Sequence, residues 1–343
     1  MSTALVYHPA FLAHDTGRWH PERAARLDAI ERRIRGRPEL SEAVEAVDAV
    51  PVDPEALVRV HSADLVRLIA TVDAAGGGHL DADTVMSAGS LAAARLAAGA
   101  GAAAVDRVRA GADGAFCLVR PPGHHAVTGR AMGFCLFNNV AVTAAQLVAG
   151  GARVAILDWD AHHGNGTQEI FEASADVLFV SMHEYPQYPG TGSVRELGEG
   201  AGTGFTLNFP FPSGTGETPY LKAFDEVVAG VLEQFGPDWI LVSAGYDAHR
   251  ADPLTDLGLT ARSFGRLTAR TRALAADLCP RRVVLFLEGG YDLAALADSV
   301  ESTLAEMTGV AAHVDEPAAP GGDDGAVAVV EAVRRLAAEH WDV

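Results

Sequence analysis

The segment Ile156–Gln168 (ILDWDAHHGNGTQ) places two carboxylates and two imidazoles at the end of an apolar run. Because side chains alternate along an extended chain, Asp158, Asp160 and His162 are expected on one side of it. A carboxylate and an imidazole two residues apart are well placed to share one metal ion. Zinc accepts this mixture of ligands, and a catalytic zinc site leaves one position open for water. The alternative, a helix N-cap cluster with a core histidine, is disfavoured by two acids beside adjacent histidines.

A third ligand is expected from Ser243–Leu254 (SAGYDAHRADPL), which follows the apolar run Trp239–Val242. Asp247 then lies on a loop just beyond a predicted strand. One aspartate in such a loop is weak support for a metal site. As the third member of an Asp–His–Asp set, it completes the ligands that a catalytic zinc ion needs.

Two more segments carry groups suited to acid–base chemistry. In Arg120–Ala126 (RPPGHHA), the Pro-Pro-Gly turn presents His124 and His125 side by side. A neutral imidazole can take a proton from water, while a neighbouring carboxylate holds the other as imidazolium. The alternative, that both bind structural water or the metal, stays open. In Glu288–Leu293 (EGGYDL), the glycine turn presents Tyr291, whose phenol could donate to a developing oxyanion.

These segments follow short apolar runs that alternate with stretches of helical spacing. The predicted strands are Ala115–Val119, Arg153–Leu157, Val177–Ser181, Trp239–Ser243 and Val283–Leu287; the predicted helices include Val140–Val148, Tyr220–Phe235 and Ser263–Leu278. Alternating strands and helices indicate an α/β fold with a mostly parallel sheet covered on both faces. Ligands bind beyond the carboxyl ends of such strands, where the polar residues above are expected.

The chain is predicted to form a single domain over residues 1–343. Pro317–Gly325 (PAAPGGDDG) is the best linker candidate, and the spacing of Val327, Val330, Val333 and Leu336 predicts a C-terminal helix docked on the body. Leu91–Val105 is too short and too weakly apolar to span a bilayer and is expected to be a packed helix.

Composition excludes several classes of function. The formal net charge of −19 disfavours direct binding to nucleic acid. Cys117, Cys135 and Cys279 fit no metal-binding or disulfide pattern, which favours buried thiols in a reducing cytoplasm. The N-terminus lacks the pattern of a signal peptide. We therefore expect a cytoplasmic protein without a membrane partner; a homo-oligomer stays open.

Taken together, these segments resemble the histone deacetylase family within the arginase–deacetylase superfamily. The resemblance covers about residues 7–310 and depends on HPERAARL, RPPGHHA, GFCLFNN, DWDAHHGNGTQ, SMHEYPQYPGTG, SAGYDAHRADPL and EGGYDL. Trp159 with Asn165 is similar to the class II branch. The resemblance implies a three-layer α/β/α fold with a central sheet of about eight strands.

The resemblance also implies roles for individual residues. Asp160, His162 and Asp247 match the zinc ligands, and His125 matches the histidine that acts as general base and then general acid. The remaining catalytic positions match His124 paired with Asp158, Asn165 orienting His125, and Tyr291 as the catalytic tyrosine. The family also binds potassium, which here is expected near Asp158, Asp160, His162, Ser181 and Met182.

The expected substrate site is a tunnel for an acylated lysine. Phe134 and Tyr188 match its walls, with Tyr188 where the family usually has Phe. Gly133, Leu254 and Gly289 are further substrate-binding positions, Arg26 matches the arginine of an internal acetate pocket, and the acidic residue that holds the substrate backbone is expected near Asp81 and Asp83.

The sequence favours a zinc-dependent deacetylase of acylated lysine in peptides or proteins. Polyamine-preferring relatives carry a glutamate gatekeeper where this chain has Leu254, although small acylated amines such as acetylpolyamines remain the main alternative. A ureohydrolase is disfavoured because those enzymes bind two metal ions and lack the RPPGHH pair. A non-catalytic acyl-lysine binder is disfavoured by the retained Tyr291 and the complete ligand set.

Overall fold

A computed structural model describes residues 2–314, Glu316 and residues 324–343. Its strands are β1 (Thr3–Tyr7), β2 (Val44–Asp48), β3 (Gly77–His79), β4 (Val85–Ser87), β5 (Ala115–Cys117), β6 (Val154–Asp158), β7 (Val177–Glu184), β8 (Thr206–Phe211), β9 (Trp239–Ala244) and β10 (Val283–Leu287). All five strands predicted from apolar runs are present, although β5 ends at Cys117 and β7 extends to Glu184.

The α-helices are α1 (Ala25–Arg35), α2 (Pro38–Ala43), α3 (Pro54–Leu57), α4 (Ala63–Ala74), α5 (Ser90–Arg109), α6 (Asn139–Ala149), α7 (Asn165–Phe171), α8 (Glu217–Ala223), α9 (Ala229–Phe235), α10 (Ala261–Leu278), α11 (Leu293–Thr308) and α12 (Asp324–Ala337). The predicted helix Tyr220–Phe235 is interrupted by a π turn at Phe224–Val228. Most of the predicted linker, residues 317–323, lies outside the described residues. Helix α12 buries Ala326, Val330 and Val333 and packs on β8.

Eight strands form one sheet in the order β2–β1–β5–β10–β9–β6–β7–β8, and each neighbouring pair is parallel. Strands β6, β9 and β10 are buried along their whole length, as expected for a sheet covered on both faces. Helices α5 and α6 pack together in one layer, and α10 and α11 pack together in the other. The predicted three-layer α/β/α fold is confirmed.

The register brings the carboxyl ends of the central strands to one edge. Asp158 at the end of β6 pairs with Ser243 of β9, and Ala244 of β9 pairs with Leu287 of β10. Loops that leave these strands therefore meet above the middle of the sheet, where ligands bind in parallel α/β folds. Within the described part of the chain, every helix is too short or too polar to cross a membrane.

Candidate active site

The three expected metal ligands come together at this edge. His162 Nδ1 lies 3.2 Å from Asp160 Oδ1 and 3.0 Å from Asp247 Oδ2. One ligand atom from each residue falls within 4.8 Å of the others, and all three side chains are buried. Two carboxylates and one imidazole with converging atoms fit a zinc ion that keeps a further position for water.

Backbone amides fix the two carboxylates in place. Ala161 N donates to Asp247 Oδ1 at 2.8 Å, and Gly289 N donates to Asp160 Oδ2 at 2.8 Å. A side chain at Gly289 would put its Cβ only 2.1 Å from Asp247 Oδ2, so the close approach of this backbone to the ligands requires glycine. Gly289 therefore holds the carboxylate of a candidate metal ligand besides being an expected substrate contact.

The two histidines of the RPPGHHA segment have different partners. His125 Nδ1 lies 2.8 Å from Asn165 Oδ1, and His124 Nδ1 lies 3.0 Å from Asp158 Oδ2. Because an amide oxygen only accepts, the first contact requires a proton on His125 Nδ1 and leaves Nε2 as the free acceptor. These are the two pairings that the resemblance to the histone deacetylase family implied.

The environments of the two imidazoles shift their pKa values in opposite directions. Burial, together with positive charge on His124 and His162, lowers the pKa of His125 well below its usual value. Burial would also lower the pKa of His124, but the carboxylates of Asp160 and Asp158 outweigh it and raise that pKa to about 10. A neutral base thus lies beside an imidazolium at neutral pH, the arrangement that separates acid and base roles.

The backbone of this histidine pair is held by groups that the sequence did not single out. The buried carboxylate of Glu288 accepts from Gly123 N at 2.6 Å, from His124 N at 3.2 Å and from Ser243 Oγ at 3.1 Å. Just beyond the pair, His61 Nδ1 donates to Val127 O at 3.1 Å, and His61 Nε2 accepts from Asn138 N at 2.9 Å. His61 must therefore be neutral in the folded protein.

This requirement predicts a pH-dependent stability. Burial lowers the pKa of His61 to about 4, whereas an unfolded histidine titrates near 6.5. Neutral His61 therefore contributes fully to the free energy of unfolding above pH 6.5, and this contribution is lost as the pH falls towards 4. Between pH 7.5 and 5.5, the wild-type free energy of unfolding should fall by about 1 kcal/mol more than that of His61→Gln, measured by urea denaturation. The exposed control His79→Gln should keep the wild-type slope; equal slopes for His61→Gln and wild type would contradict the assignment.

A cavity of about 260 Å³ opens beside the ligand cluster. His125, His162, Gly133, Phe134, Tyr188, Leu254 and Tyr291 line it, together with Pro21, Asp83 and Gln187. The ring of Tyr188 meets His125 edge-on with centroids 5.1 Å apart, and Phe134 meets Tyr291 at 5.9 Å. The expected walls of the tunnel are therefore brought together around the histidine and the tyrosine.

One wall has an unusual backbone. Gly133 has φ 56°, and a Cβ there would lie 2.4 Å from the His125 ring. Phe134 itself has φ 67°, a left-handed conformation that is strained for a bulky residue and is found at functional sites. The conformation carries the Phe134 ring to the cavity, while glycine allows the chain to pass against the histidine.

Arg26 lies beside Tyr291, and protein groups engage each nitrogen of its guanidinium. Nε donates to Gly290 O at 2.7 Å, Nη1 to Glu22 Oε1 at 3.3 Å and Nη2 to Glu288 O at 2.5 Å. The guanidinium carbon is 5.1 Å from the centre of the Tyr291 ring. Burial raises the pKa of Tyr291 well above its usual value, which keeps the phenol proton available for donation. The acetate-pocket role of Arg26 stays a prediction.

The remaining expected residues lie near the centre of the sheet or near the mouth of the cavity. Ser181 pairs with Asp158 across β6 and β7, and Met182 follows it, so the proposed potassium residues are neighbours. Asp83 lines the cavity, whereas Asp81 accepts from the backbone amides of Asp83 and Thr84. Asp83 is therefore the better placed of the two acids to meet a substrate.

Comparison with known proteins gives consistent matches. A model of the histone deacetylase domain matches residues 20–307. A probable deacetylase of Archaeoglobus fulgidus is 41% identical over 296 residues, which are 85% of this chain and 82% of that protein. A histone deacetylase-like amidohydrolase of Pseudomonas aeruginosa is 42% identical over 273 residues, covering 78% of this chain and 72% of that protein. The crystal structure of the HDA15 HD domain matches with a TM-score of 0.91 and 35% sequence identity. The match covers 99% of this chain and 95% of the chain in that structure.

Proposed function

Because the chain belongs to the histone deacetylase family of amidohydrolases, we propose that it hydrolyses the amide bond of acylated lysine side chains with one bound zinc ion. The proposal depends above all on one observation. His162 belongs both to the buried cluster with Asp160 and Asp247 and to the cavity lining, so a metal ion there would face the bound acyl group. The general base and the phenol line the same cavity.

In this mechanism Asp160, His162 and Asp247 would hold the zinc ion, which when bound would polarise the amide carbonyl and make water more acidic. His125 removes a proton from the attacking water through Nε2, since Asn165 holds its Nδ1. The Tyr291 hydroxyl donates a hydrogen bond to the oxyanion as the carbonyl carbon becomes tetrahedral. His125, or alternatively His124, then protonates the amine nitrogen, the carbon–nitrogen bond breaks, and carboxylate and amine leave.

The substrate class within this mechanism is argued from the mouth of the cavity. Leu254 lines the mouth and is 37% exposed, so it offers an apolar contact where a polyamine would need a negative partner. Small acylated amines remain the alternative because Asp83 lies in the same lining. The potassium site, the single-domain organisation and the cytoplasmic location are further predictions from the sequence.

The test is hydrolysis, by the zinc-loaded protein, of an acetyl-lysine peptide and of an N-acetylated polyamine, each with and without chelator. We expect turnover of the peptide that the chelator abolishes and little turnover of the polyamine. Turnover of the polyamine alone would be consistent with metal-dependent hydrolysis but would contradict acylated lysine as the substrate. Turnover of neither compound would contradict the proposed function and favour another acyl amide or a binding role.

Leu254→Glu should move selectivity towards the polyamine. A hydrogen bond to a charged group contributes about 1.5–3 kcal/mol, so the polyamine-to-peptide ratio of kcat/KM should rise roughly 10- to 100-fold. The same substitution at Leu68, which is 50% exposed on α4 and does not line the cavity, is the matched control. An unchanged ratio in Leu254→Glu would show that this position does not select the substrate.

A further inference from the structure

The carboxylate of Asp252 connects two loops of the candidate active site. Asp252 lies on the loop after β9, five positions beyond Asp247, and is 8% exposed. Its Oδ2 accepts from Tyr291 N at 2.7 Å, on the loop after β10. Its Oδ1 accepts from Leu254 N at 3.0 Å. One side chain thus binds the backbone of the expected oxyanion donor and that of the expected selectivity residue.

The backbone at Tyr291 needs such a partner. Tyr291 follows Gly289 and Gly290, and glycine leaves the chain with more conformational freedom than any other residue. Arg26 restrains the turn through Gly290 O and lies beside the Tyr291 ring. The hydrogen bond from Tyr291 N to the Asp252 side chain is 2.7 Å long and buried, and either protonation state of a carboxyl group offers an oxygen that accepts it. It holds the main chain at the position from which the phenol must reach the substrate.

A purely structural explanation would make Asp252 a cap for α11, which begins two residues after Tyr291. That position is already filled, because Asp292 accepts from Ala294 N at 3.0 Å and from Ala295 N at 2.8 Å. Asp252 Oδ2 also accepts from Asp292 N, but at 3.4 Å this contact is longer than the 2.7 Å contact with Tyr291 N. Its shortest contact is therefore with the residue expected to act in the reaction.

We propose that Asp252 is a positioning residue that fixes Tyr291 for catalysis and Leu254 for substrate selection through the two oxygens of one carboxylate. The inference rests on the proposed function. A displaced Tyr291 backbone weakens donation to the oxyanion, which forms after the substrate binds, so the loss falls on kcat. The displaced Leu254 alters the mouth of the cavity and with it the preference between peptide and polyamine.

The experiment is a double-mutant cycle on the zinc-loaded protein with the acetyl-lysine peptide. Asp252→Ala should lower kcat by roughly tenfold or more, should change the peptide-to-polyamine ratio of kcat/KM, and should leave bound zinc near the wild-type value. In a Tyr291→Phe background the same change should lower kcat by less than about twofold, since residues acting as one unit are not additive. Asp256→Asn, which removes an exposed carboxylate nearby, should leave kcat unchanged.

Asp252→Asn is the milder second variant if the alanine variant is unstable. An asparagine amide has one oxygen, so it can accept at one of the two loops while its NH₂ faces the N–H group of the other. We expect an intermediate loss of kcat and a changed peptide-to-polyamine ratio. Equal losses of kcat in the wild-type and Tyr291→Phe backgrounds, or a loss that follows bound zinc alone, would overturn the inference. Absence of wild-type turnover would instead overturn the proposed function.

Discussion

Replacing Asp247 with alanine is expected to leave the purified protein without stoichiometric zinc and without chelator-sensitive turnover. Two ligands, Asp160 and His162, would remain from a set of three. Loss of an outer partner of a metal ligand lowers metal affinity by roughly 10- to 100-fold, and loss of a direct ligand should exceed that range. The measurement is metal content by elemental analysis after dialysis, together with hydrolysis of the acetyl-lysine peptide.

Folding has to be followed in the same samples, because Asp247 is buried and accepts a hydrogen bond from Ala161 N. The melting temperature of Asp247→Ala, measured beside that of chelated wild type, separates loss of metal from loss of fold. The exposed Asp256→Asn variant should keep both zinc and activity. Stoichiometric zinc in Asp247→Ala would show that Asp247 is not a ligand.

Tyr291→Phe should lower kcat by about 10²–10³, since loss of one oxyanion donor from a preorganised site has an effect of that size. KM should change little, because the phenyl ring keeps its contact with Phe134 while the hydroxyl acts after substrate binding. Steady-state kinetics with the acetyl-lysine peptide measure both constants. Zinc content should equal that of wild type, because the hydroxyl lies outside the ligand set.

A matched control is Tyr185→Phe, which removes a phenol hydroxyl from a ring that is 39% exposed and does not line the cavity. It should keep the wild-type kcat. If Tyr291→Phe also hydrolysed the lysine substrate at the full rate, the phenol would have no part in stabilising the oxyanion. Catalysis would then depend on the metal and the histidines alone.

The parts of the fold that could be predicted from sequence are those set by local pattern. The apolar run Val283–Leu287 coincides with β10, because a strand buried on both faces is apolar throughout. Strands β1 and β2 were not predicted from such runs, and β2 at the sheet edge mixes exposed and half-buried residues, including Glu45 and Asp48. The order that places β10 between β5 and β9 depends on the packing of the crossover helices and has no local signal.

The residues of the candidate site also fall into two groups, those that a local sequence pattern predicts and those that it does not. Asp160, His162 and His125 could be predicted because their types and spacing at strand ends carry the chemistry. Glu288 and Asp252 were not singled out, because most of their partners are backbone N–H groups and any sequence offers such groups. A search for acids at the ends of predicted strands would have found Glu288, which directly follows β10. His61 had no such signal, because its role comes from the path of the chain at Val127.

Zinc titration of the metal-free protein, followed by hydrolysis of the acetyl-lysine peptide, tests the central claim most directly. The proposed mechanism predicts no turnover without metal, a rise in proportion to added zinc, and a plateau at one zinc ion per chain. Turnover by the metal-free protein at the full rate, or a plateau that needs two zinc ions per chain, would contradict a single-metal site formed by Asp160, His162 and Asp247.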